Sequence, residues 1–194
     1  DKIAVVWLGG NALGYGQGVE FNLIQDVYAA QTLFDSGVPL VWIPCLNVAS
    51  LLSVSGPELL ERLAGTTRIG DYLAKTVLNT FQDPLREITF MDLDRGSSLL
   101  GNCDEDESYL KKFPTHSMAW SKVIWDIAAI AFLKNPNWTP SMRIPSPVLR
   151  RDFKWEASPD RRHHIRAVTH CYRNTILGDL FQSLAEEPSA SEYP

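Results

Sequence analysis

Two pairs of residues in this sequence have the types and spacing needed to bind a sugar or a metal ion. In the first pair, Glu20 and Asn22 lie on either side of Phe21. If Phe21 anchors an extended segment, both polar side chains point the same way. A carboxylate accepts hydrogen bonds and an amide both accepts and donates them, so together they suit vicinal hydroxyls. So short a motif is weakly specific, and two solvated loop residues are the simpler alternative.

The second pair, Trp125 and Asp126, opens a helix that is apolar over residues 127–133 and that Asn135 and Pro136 end. The amides at a helix start favour an ionised carboxylate, which is the form that binds a hard cation such as calcium. A simple N-cap and a core tryptophan are the alternatives. The apolar composition predicts that this helix is buried.

The remaining polar clusters do not predict a site. The acidic residues 104–107 lack the spacing of a calcium loop and are typical of a solvated face. His163 and His164 adjoin arginines in a polar stretch, and His116 and His170 have no partner identifiable from the sequence. Neither a catalytic triad nor a dinucleotide or phosphate-binding motif can be argued from spacing.

A strand, a helix and a second strand position the first pair. Residues 3–8 form a continuous apolar run that ends at Gly9-Gly10, as in a parallel strand buried on both faces. Asp26 can cap the helix that follows, Gly37 ends it, and residues 38–45 read as the second strand. The order predicts a parallel pair of strands, with Glu20 and Asn22 near its carboxyl edge, where open α/β sheets bind ligands.

Further elements are predicted along the rest of the chain. A capping box of Ser55 and Glu58 around Pro57 starts a short helix that ends at Gly65. The pattern then predicts an amphipathic helix over 69–81, a strand over 87–93, an acidic loop over 94–108 and a closing helix capped by Asn174.

Size and charge narrow the class of protein. The 194 residues, 45% of them hydrophobic, predict one domain over 1–185 and a flexible tail over 186–194. A net charge of −5 provides no basic surface for nucleic acid, and no apolar run is long enough to span a membrane. Three cysteines without CxxC spacing argue against a disulfide framework, so we expect a cytoplasmic location.

Three stretches resemble the nucleoside hydrolase family. VVWLGGNALGYGQGVEFNLIQDVYAAQTLFDSGVPLVWIPC is similar to the family's strand that ends in Met-Gly-Gly and leads to Glu-Phe-Asn. VIWDIAAIAFLKNP resembles its later metal-ligand helix, and MRIPSPVLRRDF resembles its closing strands. The resemblance spans most of the chain and implies an α/β fold with an open, mostly parallel sheet and flanking helices, with the N-terminal part of that fold missing.

The resemblance also implies roles for individual residues. In the family, calcium holds the ribose hydroxyls and a water, and a carboxylate takes the proton of that water as the N-glycosidic bond breaks. By resemblance Glu20 and Asn22 bind ribose, Asp126 binds Ca2+ and Trp125 stacks on a purine base. Asn11 or Gln17 substitutes for an asparagine that the family carries in the first loop.

The departures from the family concern catalysis. The N-terminal Asp-rich motif, which supplies calcium ligands and the general base, has no counterpart, so the general base is unknown. Where the family often has Leu-Asp-Val-Thr, this chain has Leu46-Asn47-Val48-Ala49. Calcium requires several oxygen ligands, so we expect a complementing N-terminal segment, in the same polypeptide or in another chain.

Three functions are therefore compared. The first is hydrolysis of ribonucleosides, with a possible preference for purines, to base and ribose once an upstream segment completes the calcium site. The second is a non-catalytic module that binds nucleosides or sugars on the same scaffold. The third is a structural or assembly role. We expect a small-molecule nucleoside as partner, no nucleic acid or membrane, and either a homo-oligomer or the complementing segment.

Overall fold

Apolar runs of the sequence form the main sheet. The computed structural model describes residues 3–15, 19–80 and 121–186, apart from the side chains of residues 79 and 80. Within these ranges the sheet has the order β1 (Val5–Leu8), β2 (Leu40–Ile43), β8 (His164–Val168), β5 (Ser141–Pro145). β1, β2 and β8 are parallel, and β5 runs antiparallel to β8. The predicted α/β class and its mostly parallel sheet are confirmed.

Helices and short strands connect these four strands. The helices are α1 (Phe21–Gln25), α2 (Val27–Asp35), α3 (Gly56–Leu63), α4 (Arg68–Thr80), α5 (Ile127–Lys134) and α6 (Arg173–Ala185), with 3-10 turns at Ala49–Leu51 and Pro136–Trp138. Two small antiparallel sheets pair β3 (Ser53–Ser55) with β4 (Ser121–Val123) and β6 (Val148–Leu149) with β7 (Trp155–Glu156).

Both faces of the main sheet are covered, as a mostly parallel sheet requires. On one face Leu8, Ile43 and Val168 pack with Ala128 and Ala131 of α5. Alternation along the strands turns the neighbouring side chains to the other face, where α2 and the β6–β7 pair cover them. The carboxyl ends of the three parallel strands therefore meet at one edge between two helical layers.

Local signals set most of the helix ends where they were predicted. The Asp26 carboxylate accepts a hydrogen bond from the backbone N–H of Ala29 at 2.8 Å and so caps α2. Gly37 follows that helix with φ of 77°, which glycine adopts without strain. The Ser55 hydroxyl accepts from the backbone N–H of Glu58 at 3.3 Å and caps α3.

Two local predictions are wrong. The segment of Glu20 and Asn22 is not extended, since Glu20 caps α1 and Phe21 is the first residue of that helix. Asn174 does not cap the closing helix, which begins one residue earlier. Arg173 is the first residue of that helix. Its guanidinium donates to the carbonyl of Ser53 at 2.6 Å and pairs with Glu58, and these contacts hold the start of the helix in place.

The prediction that α5 is buried holds for only one face of the helix. Ala128 and Ala131 are buried, but Ile130 is 64% and Leu133 67% exposed. The predicted strand over 87–93, the acidic loop over 94–108 and residues 187–194 of the predicted tail lie outside the described residues.

No helix within the described ranges is both long and apolar enough to cross a membrane.

An aromatic cluster makes glycine necessary where β1 ends. Trp155 lies with its ring centroid 4.5 Å from Phe34 and 4.8 Å from Trp42, and the Trp42 indole N–H donates to the carbonyl of Gly9 at 2.7 Å. A Cβ on Gly10 would lie 3.0 Å from the Trp155 ring, and Gly10 has φ of 65°. Packing and backbone conformation both disfavour a side chain at this position.

Gly10→Ala tests this packing, with Gly37→Ala as its matched control. Both positions have positive φ, but a Cβ on Gly37 meets nothing within 4 Å. We expect Gly10→Ala to lower the free energy of unfolding by about 1–3 kcal/mol more than Gly37→Ala, because only the first variant also overpacks the core. Urea unfolding measures the difference. Equal losses would mean that Trp155 does not restrict this position.

Candidate functional site

The ends of β1 and β2 are joined directly at the carboxyl edge of the sheet. Gly9 and Gly10 directly follow β1, and Cys45 lies two residues after the end of β2. The backbone N–H of Cys45 donates to the carbonyl of Gly10 at 2.7 Å, and that of Gly9 donates to the carbonyl of Ile43 at 3.2 Å. The loop after β1 is thus held against the loop after β2 at the edge where ligands of open α/β sheets bind.

The Glu20 carboxylate binds the backbone of two segments. One oxygen, Oε2, accepts from the N–H of Gly10 at 2.7 Å and from that of Leu23 at 3.1 Å, and Oε1 accepts from the N–H of Asn22 at 3.0 Å. The carboxylate therefore caps α1 and fixes that helix to the end of β1. Hydrogen bonds to a charged acceptor each contribute about 1.5–3 kcal/mol, so this contact is a main support of the site.

The two predicted asparagines have different positions. Asn22 is half-buried, and its amide nitrogen donates to the carbonyl of Leu8 at 3.1 Å. Asn11 is fully buried, its amide oxygen accepts from the backbone N–H of Leu46 at 3.2 Å, and its nitrogen donates to the carbonyl of Val19 at 3.4 Å. Asn11 thus holds the two loops together from beneath, whereas Asn22 lies nearer to the surface.

The thiol of Cys45 is near enough to both predicted carboxylates for their charges to raise its pKa. Burial raises its pKa most, and the charge of Glu20, a hydrogen bond with Glu20 and the charge of Asp126 raise that pKa further. A raised pKa keeps the thiol protonated, so it donates to Glu20 as a neutral group. Because both carboxylates act on one thiol, Asp126 belongs to the surroundings of the edge at which Glu20 lies.

Asp126 stands before α5 with its carboxylate exposed. Its side chain makes no capping hydrogen bond to that helix, so the simple N-cap alternative does not account for it. Trp125, the residue before it, is half-buried and packs against the core cluster around Ile43 and Val48. This packing is the core role that was the alternative for Trp125 in the sequence analysis. The part of its side chain that stays exposed is available to a ligand.

The described residues do not form a calcium site by themselves. No group of three or more metal-binding side chains occurs within 3–15, 19–80 and 121–186. The oxygens of Glu20 are bound to backbone N–H groups, which leaves Asp126 as the free carboxylate of this region. Calcium takes six to eight oxygen ligands, so one carboxylate fits a single position of such a shell.

A cavity of about 420 Å³ lies elsewhere, between α3 and α6. It is lined by Glu58, Arg62, Arg173 and apolar residues of α6, and includes none of the predicted site residues. The ion pair of Arg173 and Glu58 in its wall joins the two helices. We place the candidate site at the carboxyl edge and not in this cavity, because only the edge combines convergent polar groups with a perturbed thiol.

Sequence reasoning missed Cys45. The odd number of cysteines and their lack of CxxC spacing argued against a disulfide framework, and no other role was assigned to Cys45. The signal that could have found it is its place at the carboxyl end of a predicted strand beside the one that ends at Gly10.

Two solved structures resemble this fold over most of the chain. A plant nucleoside hydrolase aligns with 92% of this chain at a TM-score of 0.60 and 14% sequence identity. A purine-preferring ribonucleoside hydrolase from Gardnerella vaginalis aligns with 91% at a TM-score of 0.53 and 18% identity. This chain spans about half the length of these proteins, 52% and 50% respectively. No family model and no curated protein matches the sequence.

At these identities the likeness concerns the fold alone. The chain has a nucleoside hydrolase-like α/β scaffold, and the expected family resemblance is confirmed at that level. One scaffold can carry unrelated activities, so function must be argued from the residues at the edge.

Glu20→Ala tests the support that the carboxylate gives to the site. We expect it to lower the free energy of unfolding by more than about 2 kcal/mol, because three backbone N–H groups lose their acceptor. Asp26→Ala, at an exposed cap with one such bond, should cost about 1 kcal/mol. Urea unfolding compares the two. If Glu20→Ala lowers the free energy of unfolding no more than Asp26→Ala does, Glu20 is not a main structural support of the site.

The buried thiols predict a pattern of chemical labelling. Burial raises the pKa of Cys171 to about 12, and burial and two carboxylates raise that of Cys45. Since the thiolate is the reactive form, neither cysteine should be alkylated by iodoacetamide at pH 8 in the folded protein, and both should react in 6 M guanidinium. Peptide mass mapping reads the two sites separately. Fast labelling of Cys45 in the native protein would contradict the burial and the raised pKa of its thiol.

Proposed function

We propose that this chain contributes the sugar-binding part of a ribonucleoside hydrolase, which breaks the N-glycosidic bond to release base and ribose. The observation that carries the proposal is the placement of Glu20 and Asn22 at the carboxyl end of β1, where Glu20 accepts from the N–H of Gly10 and Asn22 donates to the carbonyl of Leu8. Asp126, about a hundred residues further along the sequence, is near enough for its charge, like that of Glu20, to raise the pKa of the Cys45 thiol. The nucleoside hydrolase-like fold supports the same reading.

Each predicted site residue has a proposed part in ribose and base binding. Asn22 lies half-buried beside Glu20, and its amide oxygen would accept from a ribose hydroxyl while its nitrogen stays on the carbonyl of Leu8. Glu20 would bind the sugar and hold this segment, and buried Asn11 would act by fixing the loop. Trp125 would stack on the base, which favours a purine.

Asp126 is the proposed calcium ligand of this chain. Its exposed carboxylate has no capping hydrogen bond, so it is free to take one position of a calcium shell. The other ligands and the general base would have to come from residues outside those that the structure describes. Bound calcium would supply positive charge for the ribose hydroxyls.

A binding module without hydrolysis is the second candidate. It is favoured by the hydrogen bonds of Glu20, whose two oxygens accept three backbone N–H groups and lie beside the Cys45 thiol. A carboxylate so occupied serves poorly as a general base, because proton transfer requires a free and directed lone pair. Sugar recognition through Asn22 needs no such group.

Inosine hydrolysis separates these functions. The 194-residue chain and the natural polypeptide that contains it are assayed for release of hypoxanthine and ribose, with calcium and after chelation. We expect hydrolysis by the natural polypeptide only, lost on chelation and lowered about tenfold or more by Asn22→Ala or Asp126→Ala, because each removes a contact to sugar or metal. Asp160→Ala, an exposed carboxylate far along the chain, is the matched control and should retain full activity.

Binding is measured in parallel by calorimetry with inosine. Binding that is lost in Asn22→Ala, without hydrolysis in either polypeptide, would favour the second candidate. If neither polypeptide binds inosine or releases its base, both functions are rejected and a structural role is left.

A further inference from the structure

A groove between α3 and α6 has the size and the lining of a small-molecule site. Its cavity of about 420 Å³ lies within the range of about 300–1,000 Å³ that is usual for ligand pockets. Its apolar part is formed by Leu177 and Phe181 of α6, which are 1% and 7% exposed. Charged side chains of both helices lie around this apolar part: Glu58, Arg62 and Arg173. An apolar surface with a few polar groups is typical of a site that binds a small molecule.

Gly178 keeps the groove open at the centre of α6. It is an interior residue of a helix of 13 residues, where glycine is less favourable than alanine because it loses more backbone freedom on folding. The fold does not require glycine here, since its φ is not positive and a Cβ would meet nothing within 4 Å. Asn174 and Gln182, one helical turn to either side, both line the groove, so a side chain at position 178 would point into it. The missing side chain therefore provides space in the groove and does not serve packing.

The lining of the groove contains one arginine without an ionic partner. Arg173 donates to the carbonyl of Ser53 and pairs with Glu58, so its guanidinium is already bound. Arg62 lies one helical turn after Glu58 but forms no ion pair within the part of the chain that the structure describes. Two positive arginines and one negative glutamate leave one uncompensated positive charge in the groove, in a chain whose net charge is −5. The groove therefore favours a ligand with one negative charge.

We propose that this groove binds a small molecule that has one carboxylate and an apolar body. The carboxylate pairs with Arg62, since a guanidinium can donate two parallel hydrogen bonds to it. The apolar body packs on Leu177 and Phe181, in the space that Gly178 leaves. A phosphate monoester fits less well, because it carries a charge of about −1.5 to −2 at pH 7 against one uncompensated positive charge. None of these residues belongs to the proposed hydrolase site, so the two proposals are independent.

Calorimetric titration of the natural polypeptide that contains this chain tests the proposal with three probes of one shape. Phenylbutyrate has the carboxylate, phenylbutanol replaces it with a hydroxyl, and phenylbutylamine replaces it with a cation. We expect phenylbutyrate to bind at least about tenfold more tightly than phenylbutanol, because only the acid forms a charge-assisted pair with Arg62, and phenylbutylamine not to bind. Equal affinities of the acid and the alcohol, or no binding of the acid, would overturn the proposal. Because the probes contain no sugar, loss of the proposed hydrolase activity would leave this result unchanged.

Variants at two positions separate binding in the groove from binding elsewhere on the protein. Arg62→Gln should weaken the binding of phenylbutyrate about tenfold and leave that of phenylbutanol unchanged, because it removes only the cation. Arg68→Gln, at an exposed arginine outside the groove, is the matched control and should change neither affinity. Gly178→Leu should abolish binding of both probes and raise the melting temperature, because leucine fills the groove and favours the helix. Unchanged binding in Arg62→Gln or in Gly178→Leu, or a lower melting temperature of Gly178→Leu, would contradict the assignment of the site.

Discussion

The end of β1 depends on one closely packed residue without a side chain. Gly10 lies against the Trp155 indole, donates to the Glu20 carboxylate and accepts from the backbone of Cys45. Only a residue without Cβ, at positive φ, allows all three contacts at once. The helix cap at Glu20, the loop that holds Asn22 and the exit of β2 are therefore positioned through this residue. A shift here would move Glu20, Asn22 and Cys45.

Patterns that depend on nearby residues were readable in the sequence. The buried strands follow from continuous apolar runs, and Asp26 and Ser55 cap their helices through N–H groups three residues ahead. Glu20 was misread because glutamate is not among the preferred caps and because its strongest partner, Gly10, lies ten residues away. The start of α6 was misread for a similar reason, since Ser53 and Glu58 hold Arg173 from more than a hundred residues away.

The predictions for Phe21 and for α5 failed for the same reason. Phe21 was taken as the anchor of an extended segment, and α5 was expected to be buried because every residue from 127 to 133 is apolar. Composition tells what a side chain favours, but exposure depends on whether another segment covers it. Both α1 and α5 pack against β1, so the failed predictions concern the same part of the fold.

The charges at the carboxyl edge restrict what can bind there. The charges of Glu20 and Asp126 both raise the pKa of the buried Cys45 thiol, and neither carboxylate takes part in an ion pair within the described ranges. A ligand must bring hydroxyl donors or a cation, because an anionic group would meet two carboxylates in a partly buried setting. A phosphate group is therefore disfavoured at this edge on electrostatic grounds. A metal ion would reduce the repulsion between these carboxylates, but it would need further oxygen ligands, because the oxygens of Glu20 already accept three backbone N–H groups.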